Sequence, residues 1–393
     1  MTRFFSALAF YLFCMSTLAQ SQHVSVVEYH PAPGQFVNVL PEYSEGMTHE
    51  QICLQATEAL QEEGLVHLGS FGGYVTVKFD HPIQNKTGSD IRIMGNSYYA
   101  QSDPVYGNET IGGSFEPGIV YVGVGEDVAT CRWYELAGSE YYTTEQHDFT
   151  ITYYKPTAET GAHELPFSSY DQYLRWDATW TDADGVRRDS SGYHMKVASH
   201  TQSFWPAWEQ EDQLTFTGGR LPNNAIDYSG NGMMWTLYRY AKDAYGYVDA
   251  SLNTDDYSTF DIDWAVDEDG RHVDLKEIHY IRVVSALFQH CGWIGESSTE
   301  VAGFQDLHLI EGYDSNPIII PTRPLPSVID TPTQSSVSDD CYDLAGRMVS
   351  HPGKGIYIRN GKKFVRNGIS KKESRQTNST SRPWNRKLPA TTY

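Results

Sequence analysis

Cationic charge is scarce in this 393-residue chain, with 29 Lys+Arg against 50 Asp+Glu and a formal net charge of −21. So acidic a chain excludes nucleic acid as the main partner, because phosphate recognition needs a cationic surface. Cysteine is scarce too: there are five, widely spaced and with no Cys-x-x-Cys pair, which argues against a zinc site. No apolar run beyond the N-terminus approaches 18 residues, so no membrane-spanning helix is expected in the body of the chain. Patterns of the G-x-S-x-G, H-E-x-x-H and P-loop type are absent, and the 14 histidines are scattered. Apolar content is not lacking. At 40% it suffices for a packed core and excludes global disorder.

Residues 1–19 read as a signal peptide. Arg3 supplies the positive start, Phe4 to Phe13 an apolar run too short to cross a bilayer, and Thr17-Leu18-Ala19 the small residues before cleavage at Gln20. The expected location is secreted or cell-surface. Cys14 offers lipidation as an alternative, although Phe13 before it is bulky for that chemistry. An oxidising compartment permits disulfides among Cys53, Cys131, Cys291 and Cys341, in any of three pairings; isolated buried thiols are the simpler expectation.

Composition divides the remainder. Residues 20–314 form the main region. Residues 315–338 hold Pro317, Pro321, Pro324, Pro326 and Pro332 and read as a Pro-rich linker. Residues 339–367 read as a small C-terminal β module, with Asn360-Gly361 as a hairpin turn, and 368–393 as a basic disordered tail. From 341 onward, 12 basic and 2 acidic residues give a net of +10, leaving −31 for the first 340.

One helix is expected near the N-terminus. Thr48 and Gln51 form a capping-box pattern, Met47 can staple against Ile52, and Ile52, Ala56, Ala59 and Leu60 share a face. Elsewhere the period is two. Val75, Val77 and Phe79 alternate with polar residues; Ile91 and Ile93 flank Arg92; and 118–124, 149–154, 278–284 and 307–310 read as strands. Many short strands between Gly/Asp-rich loops predict an all-β chain, an antiparallel, jelly-roll-like β-sandwich with one short helix.

Two Asp-Gly loops are candidates for structural calcium: Asp182, Asp184 and Asp189, and Asp267, Asp269 and Asp274. Neither fits the EF-hand register, and Asp-Gly equally well just closes a hairpin. Trp205, Trp208, Trp235 and Tyr238 crowd one stretch. Exposed rings of this kind stack on sugar faces, and Asn223 and Asp227 nearby can bond hydroxyls. The alternative is that the rings fill the core. Glu296 and Glu300 are the nearest thing to a catalytic acid pair. On a strand they would stand about 13 Å apart, too far to act on one glycosidic bond, so no catalytic residue is assigned.

The Leu68-Gly69-Ser70-Phe71-Gly72-Gly73-Tyr74 strand entry, Glu116-Pro117-Gly118, Trp133-Tyr134-Glu135-Leu136-Ala137-Gly138-Ser139-Glu140 and Gly292-Trp293-Ile294-Gly295-Glu296-Ser297-Ser298-Thr299-Glu300 together resemble secreted cell-surface proteins of Bacteroides-like bacteria. The Gly-Gly-Tyr strand followed by Asp90-Ile91-Arg92-Ile93 also looks like galactose-binding-like jelly rolls. The resemblance implies a non-catalytic surface protein that recognises a glycan or other nutrient ligand, such as cobalamin, beside outer-membrane uptake proteins. Two alternatives stay open: a structural or adhesive accessory of such an uptake system, and a glycoside hydrolase-like enzyme.

Overall fold

The computed structural model describes residues 23–39, 42–62, 64–100, 105, 112–157, 163–164, 170–197, 202–313, 341–343, 355–359 and 362–366. The expected leader at 1–19 with Cys14, the linker at 315–338 and the tail at 368–393 lie outside the described residues. Two compact units divide at Leu325/Pro326.

The first unit is an antiparallel β-sandwich with one α-helix. Its largest sheet has seven strands. Val24–His30, Tyr74–Gln84, Glu277–Ser285, Gly118–Val124, Arg132–Leu136 and Ala265–Val266 follow one another across it, and Tyr247–Val248 also pairs with Gly118–Val124. The alternation read from sequence sets its faces. Val75, Val77, Phe79, Val120, Val122, Ile281 and Val283 enter one continuous core. Their neighbours turn the other way, where the Arg282 guanidinium pairs with Glu28 at 2.6 Å and lies over the Trp133 ring at 4.0 Å.

The helix, His49–Gln61, covers the core face. Its capping box is complete: Thr48 Oγ1 accepts from Gln51 N, and Gln51 Oε1 accepts from Thr48 N at 2.9 Å. Ile52, Cys53, Ala56, Ala59 and Leu60 are buried against the sheet.

A five-stranded sheet carries the second core. Tyr170–Thr181 is paired on one side by Arg187–Val197 and on the other by Gln146–Tyr154, which in turn pairs with Gln213–Arg220; His163–Glu164 completes it. Phe149, Ile151, Tyr153, Leu174 and Ala178 pack there with Phe71 and Trp205. Smaller antiparallel sheets close the ends. Gly112–Ser114 joins Trp235–Tyr238 and Tyr98–Tyr99, and Val66–His67 pairs with Glu300–Val301.

One expected strand is absent. Residues Leu307–Leu309 form a 3-10 turn, because Asp306 takes the N-cap position and its side chain accepts from His308 N at 2.8 Å. The strand lies just before, at Gly303–Asp306. Cys53, Cys131 and Cys291 are free thiols. No helix among the described residues is long and apolar enough to cross a membrane.

In the second unit Cys341–Asp343, Gly355–Arg359 and Lys362–Arg366 form a three-stranded antiparallel sheet. Arg359 stands opposite Lys362, as expected for a hairpin centred on 360–361.

Candidate ligand-binding cleft

A cleft of about 600 Å³ opens where the small sheets meet the segment 294–300. Its rim is aromatic: Tyr98 is 59% exposed, Phe36 is 40% exposed, and Trp235 is half-buried. Its floor is acidic, with Glu116, Glu296 and Glu300.

Local geometry explains how the acids stay there. Glu300 sits on a two-residue strand directly opposite His67, and its Oε1 lies 3.2 Å from His67 Nδ1. Glu116 precedes the Gly118–Val124 strand; its Oε1 accepts from Ser298 N at 3.0 Å and its Oε2 from Ser114 Oγ at 3.4 Å. Asp249 stands behind them, with an oxygen within 4.8 Å of one from Glu116 and one from Glu300. It is the one non-glycine among the described residues with positive φ, 57°. Its carboxylate accepts from Asn96 N at 3.0 Å and Glu300 N at 3.3 Å, and these bonds hold the strained backbone.

Glu296 is the exception. Gln35 N donates to its Oε1 at 2.5 Å, but Oε2 is buried and has no hydrogen-bond partner. Burial pushes its acid up to about 8, outweighing the bond from Gln35. Burial also raises Glu116 and Asp249 well above the usual carboxylate range, with Glu300 reinforcing both. Burial thus favours the protonated form of Glu296 at neutral pH, which can donate as well as accept.

Of the ligand contacts expected from the sequence, Trp235 lines this cleft, as do Glu296 and Glu300, weighed there as an acid pair. The Trp235 Nε1–H donates to Gly232 O at 2.9 Å, which leaves the ring face for a ligand. Asp227 serves the turn that presents it, accepting from Ser229 N at 2.9 Å and Gly232 N at 2.7 Å. Asn223 is exposed and accepts from Arg220 Nη2 at 3.0 Å. Its neighbour Asn224 is the buried one, bridging Phe115 O and Tyr238 O. Trp205 is 3% exposed and fills the second core, which is the alternative weighed for these rings. Trp208 packs on Tyr29 with centroids 5.9 Å apart, and Tyr238 is 8% exposed.

The Asp-Gly loops are closed by their own bonds. Asp182 accepts from Asp184 N, Val186 N and Arg188, at the tip of the hairpin that also carries Asp189. Asp267 accepts from Asp269 N and Arg271 N, Asp269 pairs with Arg271, and Asp274 with Lys276 at 2.8 Å. Sequence reasoning missed Phe36, His67, Tyr98, Glu116 and Asp249. The Glu116-Pro117-Gly118 motif was the one available signal among them. No protein-family model matches the chain, and no curated protein matches it in sequence.

Proposed function

We propose that this chain is an exported surface protein that binds a glycan in the cleft between Trp235 and Glu296. One juxtaposition supports the reading: an available indole face beside a buried carboxyl oxygen with no partner. A sugar offers both complements, an apolar C–H face for the ring and hydroxyls for the unmet oxygen. The flanking Tyr98 and Phe36 extend the stacking wall, and Asn96 and His67 add polar groups at the edge. In the setting the resemblance implies, the bound glycan is a nutrient captured for uptake across the outer membrane.

Trp235→Ala removes the ring while leaving the acid floor, and should weaken glycan binding roughly ten- to a hundredfold, as expected for an anchor worth about 1–3 kcal/mol. A glycan array followed by titration calorimetry measures this; wild-type affinity in the variant would remove the proposal. A hydrolytic reading has its own support. Glu116 and Glu300 approach within 4.8 Å, near the roughly 5–5.5 Å separation of retaining glycosidase pairs. Release of reducing ends from a bound glycan, lost in Glu300→Gln, would convert the binding protein into an enzyme.

A further inference from the structure

A second cleft, of about 770 Å³, lies elsewhere on the first unit and is independent of the glycan reading. Strand parity builds it. On Arg132–Leu136, Leu136 enters the core while Glu135 turns outward, opposite Tyr121 on the neighbouring strand. Glu145 and His147 arrive at the start of Gln146–Tyr154. A β-bulge between Gly218 and Arg220 leaves room for Glu145, because a Cβ at Gly219 would fall on its Oε1.

Three donor atoms, one each from Glu135, Glu145 and His147, lie within 4.8 Å of one another. The Glu145 side chain is wholly buried, and its oxygens meet no donor outside the cluster; they face the Glu135 carboxyl and His147 Nδ1. The Tyr121 hydroxyl bonds the Glu135 carboxyl, whose Oε1 has no donor of its own. His147 Nε2 lies 2.9 Å from Tyr141 O and donates to that carbonyl. This turns Nδ1 toward Glu145 Oε1, 3.3 Å away. A histidine held through its outer nitrogen by a carbonyl, with the inner nitrogen facing carboxylates, is the usual support of a metal-binding imidazole.

We propose that Glu135, Glu145 and His147 bind one divalent first-row transition cation, of the zinc or manganese type. The imidazole selects against calcium, which takes oxygen donors. Donor atoms spread over up to 4.8 Å must draw together for all three to reach the about 2.0–2.2 Å such ions require. Three protein ligands leave a coordination position open to the cleft, where water or a ligand hydroxyl can enter.

The test is titration calorimetry of chelator-stripped, desalted protein with zinc chloride, manganese chloride and calcium chloride separately. Zinc or manganese should bind one to one and more tightly than calcium. His147→Ala, which removes an exposed side chain, and Glu145→Gln, which keeps the shape of the site, should each weaken binding at least tenfold, with thermal melts confirming that both fold. Absence of a one-to-one isotherm with either transition metal overturns the proposal. So does unchanged affinity in both variants, which would place the ion elsewhere. Wild-type protein that binds neither metal, with a Glu145→Gln variant that melts higher, would mean that the acids share only a proton.

Discussion

The two clefts bury their carboxylates in opposite ways. Around Glu300 the fold brings donors to the acids: Asn96 N and Glu300 N to Asp249, Ser298 N and Ser114 Oγ to Glu116, Gln35 N to Glu296. Around Glu145 it brings no backbone donor, sets His147 Nδ1 3.3 Å from Oε1 and clears space with a glycine at a bulge. A buried charge costs several kcal/mol unless it is paired. The first cleft offsets that cost internally and keeps one unmet carboxyl oxygen, on Glu296. The second leaves it to a proton or a cation. The comparison separates a floor whose acids are met largely by donors of the fold from a socket whose acids are met chiefly by one another and a histidine.

The largest effect that sharpens this contrast is pH dependence. Glu296 has a folded pKa of about 8 against an ordinary 4.5, so between those values the folded chain holds a proton that the unfolded chain has lost. Stability contributed by this group therefore falls as pH rises through that window, by up to about 1.4 kcal/mol per pH unit. Buried His194 and His290 act in the other direction. Desolvation lowers them to about 3 and about 4, so the unfolded chain holds the extra protons up to 6.5 and stability rises with pH below that point. In denaturant unfolding from pH 3 to 9, the stability difference between wild type and Glu296→Gln should fall as pH rises from about 4.5 to about 8 and stay flat outside that window. A difference that does not change with pH would mean that Glu296 is not the buried acid described.

Asp249→Ala comes next. It strips the acceptor from two backbone N–H groups and puts alanine at φ 57°, a region alanine adopts poorly. The expected loss is about 2–4 kcal/mol, partly relieved by removal of an acid crowded against Glu116 and Glu300. Asp249→Asn keeps an acceptor and tolerates the backbone, so it should cost less than half as much. Equal losses in urea titrations of the two would show that the backbone bonds do not hold this corner.

Local structure was readable because it depends on neighbours in sequence. Thr48 and Gln51 are three residues apart, and Val75, Val77 and Phe79 two apart, so capping and alternation carry the helix and the central strands. The site was readable at Trp235 and, as an acid pair set aside on strand spacing, at Glu296 and Glu300. The acid floor converges from residues 116, 249, 296 and 300, and no spacing rule links the first two to the others. The strand geometry used to space Glu296 and Glu300 does not hold, for a local reason. A continuous strand was assumed, whereas a 3-10 turn and Gly295 at φ +92° precede Glu296, and only Glu300 enters a strand, so both acids line one cleft. Trp205 and Trp235 are chemically alike in sequence; only the packing of Phe71 and Ile151 around the first distinguishes core from rim.

The smallest effect tests the glycine that makes the second cleft different. Gly218 and Gly219 are adjacent, and only one has a reason to lack a side chain. A Cβ at Gly218 meets nothing within 4 Å, whereas one at Gly219 lands on Glu145 Oε1 and Ile119 Cδ1. Neither glycine is among those with positive φ, so backbone strain does not enter. Gly219→Ala should therefore displace the ends of two flexible side chains and cost about 1 kcal/mol, the low end of overpacking. Gly218→Ala should stay within about 0.5 kcal/mol of wild type, as an open strand position does. Parallel thermal melts decide it. If the two variants melt together, the bulge does not define the Glu145 socket, and the distinction between the clefts loses its structural basis.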